Sequence, residues 1–336
     1  MDETSGKNVT TETTLTKTEP EADGAAILVE GPGAVADRLF RWTALAAGAT
    51  VLAVLALIAI AMTQQAWPAW SELGTSYFFG TEWIPSQGKY GILPLVYGTI
   101  VVSVIALVFA VPVSVGIALF VTELAPDRVR RPVVTIVDLL AAVPSVVFGL
   151  WAFYNLLPGF QTVFNDIARA VSSIPVLNSL FGPSTGSSFM SAGLILALMI
   201  TPIITSVTRE VFTTVPVNDK SGALALGATR WEMIRGVVFP HSFGGMTGAV
   251  MLGLGRAMGE TVAVALIIGA VPRISANLFG VGETMPAQIF RQLSEAGATL
   301  RSALIGLGVV LLVLTVLVNV SARRMVTAID GRVKGG

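Results

Sequence analysis

The chain has 336 residues, of which 53% are hydrophobic and only 12% charged, about half the charged share of an ordinary soluble domain. A mean hydropathy of +0.76 excludes a disordered chain and argues against a soluble globular one. Basic and acidic residues both number 21, too balanced for a nucleic-acid-binding face.

The elements follow in chain order. Residues 1–41 are rich in Thr, Glu and Gly and carry no apolar period, which predicts a disordered tail. They lack the basic start, short apolar core and cleavage site of a secretory signal. Six later stretches approach the ~20 apolar residues that a bilayer-spanning helix needs: 42–63, 93–121, 133–157, 189–212, 244–271 and 302–320. Backbone groups inside hydrocarbon must be satisfied within their own segment, so helices are expected. No dyad alternation suggests a barrel. Pro112, Pro144 and Pro202 inside these spans are expected to kink them. The connections 64–92 and 158–188 are punctuated by Pro, Gly and Ser and are expected to be loops with short interfacial helices. Residues 323–336 form a second tail.

Orientation comes from the basic residues. With the N-terminus cytoplasmic, fifteen Lys and Arg fall on the inner side: Lys7, Lys17, Arg38, Arg41, Arg128, Arg130, Arg131, Arg209, Lys220, Arg230, Arg235, Arg323, Arg324, Arg332 and Lys334. Five fall outside: Lys89, Arg169, Arg273, Arg291 and Arg301. Both termini are therefore expected inside. Trp67, Trp70, Tyr77, Phe78, Phe79 and Trp83 cluster just beyond the first span, as an interfacial belt would.

The inner connection 213–240 contains PVNDKSGALALGATRWEMIRGVVFP. Leu224, Leu226, Ala228, Trp231, Ile234 and Val238 stand among charges, so one helical face is expected to be buried. Asn218 or Asp219 is a candidate N-cap. Gly227 permits a sharp turn between two short helices. The expected object is a helical elbow standing out of the membrane, its apolar side covered by a partner.

The fifth span holds two charges, Arg256 and Glu260, at i and i+4. That spacing places them on one helical face, where each costs about 2.5–3.5 kcal/mol at mid-bilayer on insertion scales. Pairing with each other, or facing a polar cavity, would compensate. A guanidinium also suits an oxyanion, because its planar fork stays protonated and binds two oxygens. Arg256 is therefore the candidate substrate-path residue, with Glu260 holding it when the path is empty. Gly255 and Gly259 form a G-x-x-x-G pattern that suits close helix packing or leaves room for an ion. Arg209 and Glu210 read as an interfacial pair. Asp138 reads as a cap or a contact of the Arg128, Arg130 and Arg131 cluster. His241 has no second ligand type beside it and reads as an interfacial donor. With no cysteine and a single histidine, disulfides, thiolate metal sites, iron–sulfur clusters, cysteine nucleophiles and a histidine-rich metal site are excluded, and no catalytic constellation is visible.

Here the chain resembles a known family. ABC-importer permeases carry a cytoplasmic loop of the form EAA-x3-G-x9-I-x-LP. Ser221, Gly222 and Ala223 stand at the EAA position, Gly227 follows at the Gly, and Val237, Phe239 and Pro240 stand at I-x-LP. The departure is Ser-Gly for Glu-Ala. The flanking segments AAVPSVVFGLW, TPIITSVTREVFTTVP and MLGLGRAMGETVAV are similar to the phosphate-specific permeases of the PstC family and their PstA paralogues, over about residues 92–322. GRAMGET is the most specific part. The resemblance implies an all-α integral membrane protein with six transmembrane helices, the MetI-like bundle of type I ABC importers, its permease core at 93–322. It implies a subunit of an ATP-driven high-affinity inorganic phosphate importer in the plasma or inner membrane of a prokaryote. The implied partners are a PstA-like second permease, two PstB-like ATPase subunits docking on Ser221, Gly222, Ala223, Gly227, Trp231, Val237, Phe239 and Pro240, and an extracytoplasmic PstS-like binding protein. Another oxyanion (molybdate, sulfate or phosphonate) is the rival substrate, and a stand-alone secondary carrier the rival class. No P-loop G-x4-G-K-[ST] is present: Lys7 precedes Asn8, Lys89 precedes Tyr90, and Lys220-Ser221 lacks the Gly. The chain is thus expected to bind no cofactor, with ATP and magnesium used by the ATPase.

Overall fold

A computed structural model describes residues 34–333. Two compact units are distinguished, residues 1–55 and 56–336. The described part of the first is the leading stretch of α1 (Ala34–Leu73), whose side chains 36–55 are all exposed. The tail expected at 1–41 lies outside the described residues up to 33, and its last eight residues are corrected to helix. Asp37 in the first turn suits the positive end of the helix dipole.

Within the second unit, α1 is followed by α2 (Thr75–Phe79) and a two-residue antiparallel hairpin, β1 (Trp83–Ile84) with β2 (Lys89–Tyr90), paired Trp83 to Tyr90. The connection expected as a loop at 64–92 is thus largely structured. Next comes α3 (Leu93–Leu119), prolonged by a π-helical turn at Phe120–Leu124. Pro112 lies inside α3.

The third expected span, 133–157, is not one helix. α4 (Asp127–Ala142) and α5 (Ser145–Asn155) meet at 94°. Pro144 is the cause: it lacks an N–H and pushes Val143 out of the helical region, to φ −68° and ψ 128°. The expected kink is a break. The connection that follows holds α6 (Leu157–Val171) and α7 (Pro175–Leu180).

α8 (Phe189–Thr213) carries Pro202 and begins at Ser188, whose side chain accepts from the Ser191 N–H. The elbow region contains α9 (Val217–Ala225), α10 (Arg230–Met233) and a second π-helical turn at Ile234–Val238. It leads into α11 (Phe239–Gly259). The fifth span expected at 244–271 breaks at Glu260 and resumes only as the short α12 (Val262–Ile267). α13 (Met285–Gln292) and α14 (Ala298–Val333) complete the chain. Among the described residues, five helices are long and apolar enough to cross a membrane, and counting the α4–α5 pair as one span gives six.

The core forms where α3 lies along α8, with Val102, Ala106, Leu196, Ile200 and Ile204 buried. α11 reaches α8 through a stripe of small residues. A Cβ on Gly245 would lie 2.5 Å from Val211, and one on Gly253 would lie 2.6 Å from Ile204. Ala249 between them is fully buried. This is the close-approach geometry that small residues permit. At the hairpin end, Tyr77 donates from its hydroxyl to the Ala303 carbonyl at 2.7 Å within a cluster that includes Trp83, Tyr90 and Leu304. At the elbow end, Ala118, Phe212, Val215, Met233, Ile234 and Val238 form a separate buried cluster.

Candidate permeation cavity and coupling elbow

A cavity of about 1010 Å³ opens between α11 and α14, with Ile203 of α8 at its back. α11 contributes Thr247, Gly248, Met251, Gly255 and Arg256, and α14 contributes Val316, Asn319, Val320 and Arg323. α11 runs away from the elbow and α14 returns towards it, so Arg256 marks one end of the cavity and Arg323 the other. Arg256 stands in the last turn of α11, where the partial negative charge of the helix C-terminus favours a cation. Its side chain is exposed.

Two expectations about this region are corrected. Arg256 and Glu260 do not share a helical face, because α11 ends at Gly259 and Glu260 is extended, with ψ 129°. Among the described residues no ion pair joins them; only Arg256 of the two lines the cavity. Gly255 and Gly259 are not packing positions within this chain: a Cβ on either would meet nothing within 4 Å. The packing stripe is two residues out of register with them, at Gly245, Ala249 and Gly253.

Beyond the break, α12 is held by a clamp that the sequence reading missed. Glu283 is fully buried and accepts from Arg291 Nε at 2.9 Å. Arg291 also donates to the Ala265 carbonyl of α12, one of the terminal carbonyls a helix leaves without an internal partner. The Thr284 N–H donates to Glu283 at 3.1 Å. Burial pushes the Glu283 carboxyl above the ordinary carboxylate range, and Arg291 and Thr284 pull it back only in part. Gly98 of α3 makes room for this segment: a Cβ there would lie 1.9 Å from the Glu283 carbonyl oxygen. The available signal was a lone acid in the apolar, Gly-rich run LFGVGETMP, eight residues before an arginine.

The elbow is two short helices joined at Gly227, whose φ of +89° only glycine adopts freely. α9 has Pro216 rather than Asn218 or Asp219 as its N-cap; both expected caps sit inside its first turn. The side-chain cap belongs to α10, where Thr229 and Glu232 form a reciprocal capping box. The expected single buried face is divided. Ile234 and Val238 are buried, whereas Leu224, Trp231 and above all Leu226, 91% exposed, face outwards. Ser221, Gly222, Gly227 and Pro240 are exposed, and Ala223, Val237 and Phe239 are half-buried against the elbow-end cluster. Lys220 of α9 pairs with Glu123 of the first π-helical turn at 2.5 Å.

The remaining charges are placed as follows. Arg209 bonds Glu210 at 3.1 Å and lies 4.0 Å from Asp138. The Asp138 contact is therefore Arg209 on α8, not the arginine cluster on its own helix. His241 is exposed.

Residues 110–335 match the family described as "Binding-protein-dependent transport system inner membrane component". The chain belongs to that family. It is 42% identical over 302 residues to the phosphate transport system permease protein PstC of Mesorhizobium japonicum, covering 89% of this chain and 92% of that protein. It is 40% identical over 328 residues to the phosphate transport system permease protein PstC 2 of Mycobacterium tuberculosis, covering 95% and 99%. Its fold matches a chain in a crystal structure of a bacterial alginate ABC transporter in complex with alginate pentasaccharide-bound periplasmic protein. That match has a TM-score of 0.58 at 17% identity, covering 88% of this chain and 97% of the other. The type I ABC-importer permease fold implied by the motifs is the one observed, and the chain is a multi-pass inner membrane transport subunit.

Proposed function

We propose that this chain is the permease subunit of an ATP-driven importer of inorganic phosphate, forming the path with a second, PstA-like permease. The observation that carries the reading is the guanidinium of Arg256, set on an open cavity without an ion-pair partner among the described residues, in a chain whose relatives are phosphate permeases. An arginine fork offers two parallel donors to a tetrahedral oxyanion.

Two PstB-like ATPase subunits, using ATP and magnesium, would dock on the exposed elbow. The exposed apolar side chains of Leu224, Leu226 and Trp231 offer such a partner a hydrophobic contact. A PstS-like binding protein would deliver phosphate at the hairpin end. The excess of Lys and Arg in the elbow and tail segments supports a cytoplasmic elbow and cytoplasmic termini. ATP would close the ATPase pair, and the elbow would carry that motion to the helices. This requires ATP to favour one conformation of the permease over the other.

The test is uptake of labelled phosphate into vesicles holding the two permeases, with and without the ATPase and ATP, in competition with molybdate, sulfate and phosphonate. ATP-dependent phosphate uptake supports the reading. Uptake driven by an ion gradient without the ATPase, or uptake of another oxyanion in preference, overturns it.

A further inference from the structure

The elbow meets the rest of the chain at two hinges of the same kind. α10 runs through the π-helical turn Ile234–Val238 into α11, the helix of Arg256. α9 has no covalent route to α3, yet Lys220 reaches Glu123 in the π-helical turn that ends α3. π-turns inside helices are uncommon and concentrate where helices must adjust.

The ion pair is sheltered. The Lys220 side chain is 19% exposed and that of Glu123 9%. Exposed pairs contribute little because water screens them and long side chains lose entropy. A sheltered pair differs: removing one partner strands the other charge away from water. The contact is also specific to one point. α9 otherwise touches the elbow-end cluster through the half-buried Ala223, while Gly222 has open space around it. Lys220 is thus the charged tether that sets the angle of α9 to the bundle. It stands immediately before Ser221, where the loop pattern has an acid and this chain has none.

We propose that Lys220 and Glu123 are a positioning pair that couples the elbow to α3. The covalent chain moves α11 with the elbow, and the ion pair makes α3 move with it. α3 lies along α8 and borders the Glu283 segment through Gly98, so the pair carries the elbow's motion to the far end of the bundle. This inference rests on the importer reading above for the source of the motion.

The experiment uses the whole complex with Lys220→Met, Glu123→Gln and the charge swap Lys220→Glu with Glu123→Lys. Each single variant is expected to co-purify with the ATPase and hydrolyse ATP. Each is expected to move about tenfold fewer ions per ATP. The swap is expected to recover most of the ratio, and retained co-purification and ATP hydrolysis in the single variants separate lost coupling from lost structure. Because the chain has no cysteine, spin labels at Ala225→Cys and Val113→Cys add a readout independent of the ion. ATP should leave their separation unchanged in the parent and alter it in the single variants. Single variants with the parent's ratio and separation, or a swap no better than either single variant, overturn the pair's role. Failure of the parent complex to take up phosphate overturns the importer reading instead, and the label separations still decide the pair.

Discussion

The carboxylate of Glu283, with no exposed surface, accepts from Arg291 Nε at 2.9 Å while the same guanidinium holds the Ala265 carbonyl. Removing the cation leaves a buried carboxylate and a bare helix-end carbonyl. Breaking a buried pair from one side costs about 3–5 kcal/mol, and Arg291 is 31% exposed, so Arg291→Gln should lose about 2–3 kcal/mol after discounting for solvent. Thermal unfolding of the purified chain in detergent measures it. Glu283→Gln should be milder, since an amide oxygen still accepts from Arg291 and from the Thr284 N–H.

A pH dependence follows from the same site. Burial raises the Glu283 carboxyl in the folded chain above its unfolded value. Between those two values the folded chain binds more protons than the unfolded one, so stability falls as pH rises through that window. The unfolding midpoint should therefore decline just above the ordinary carboxylate range. The decline should vanish in Glu283→Gln. A midpoint that rises through the same window would contradict the direction.

Arg256→Lys keeps the charge and loses the fork, and Arg256→Gln loses both. A hydrogen bond to a charged group contributes about 1.5–3 kcal/mol. Arg256→Gln should thus reduce phosphate uptake by about tenfold to a hundredfold, with Arg256→Lys between it and the parent. Assembly with the partner subunits should be unchanged, because the side chain faces the cavity rather than the α8 seam. Normal uptake in Arg256→Gln would remove the residue from the path.

Four of the six spans and the turn of the elbow were legible because each rests on local pattern: apolar length, and a glycine between two short helical runs. The rest was not, for physical reasons. A proline inside an apolar run reads the same whether the helix carries on through it, as α8 does at Pro202, or stops before it, as α4 does at Pro144. Only the packing around it decides. The i,i+4 spacing of Arg256 and Glu260 assumed a continuous helix that stops between them. Lys220 with Glu123, and Asp138 with Arg209, join residues far apart in sequence, and one chain without its fold holds no record of such pairs.

The small-residue stripe provides a contrast between neighbouring glycines. Gly253 faces Ile204, and Gly255 faces the cavity. Gly253→Val should force α11 off α8 and lose about 1–3 kcal/mol, the usual range for overpacking. Gly255→Ala adds a methyl to open space and should leave the unfolding midpoint unchanged, or raise it slightly through helix propensity. Equal destabilisation by the two would mean that both faces are packed.

Gly227 holds the turn of the elbow at φ +89°, and a Cβ added there would meet nothing within 4 Å, so substitution acts through the backbone alone. A side chain in that left-handed region costs roughly 1–2 kcal/mol, enough to shift α9 against α10 without unfolding the spans. Gly227→Asp should therefore leave the chain in the membrane with its unfolding midpoint near the parent's. The docking face of Leu224, Leu226 and Trp231 would lose its shape, and ATP hydrolysis would run without matching uptake. Gly227→Asn, which tolerates this backbone region better, should recover part of the transport-to-hydrolysis ratio. Full coupling in Gly227→Asp, measured as phosphate moved per ATP in vesicles, would show that the bend of the elbow is not what the ATPase grips.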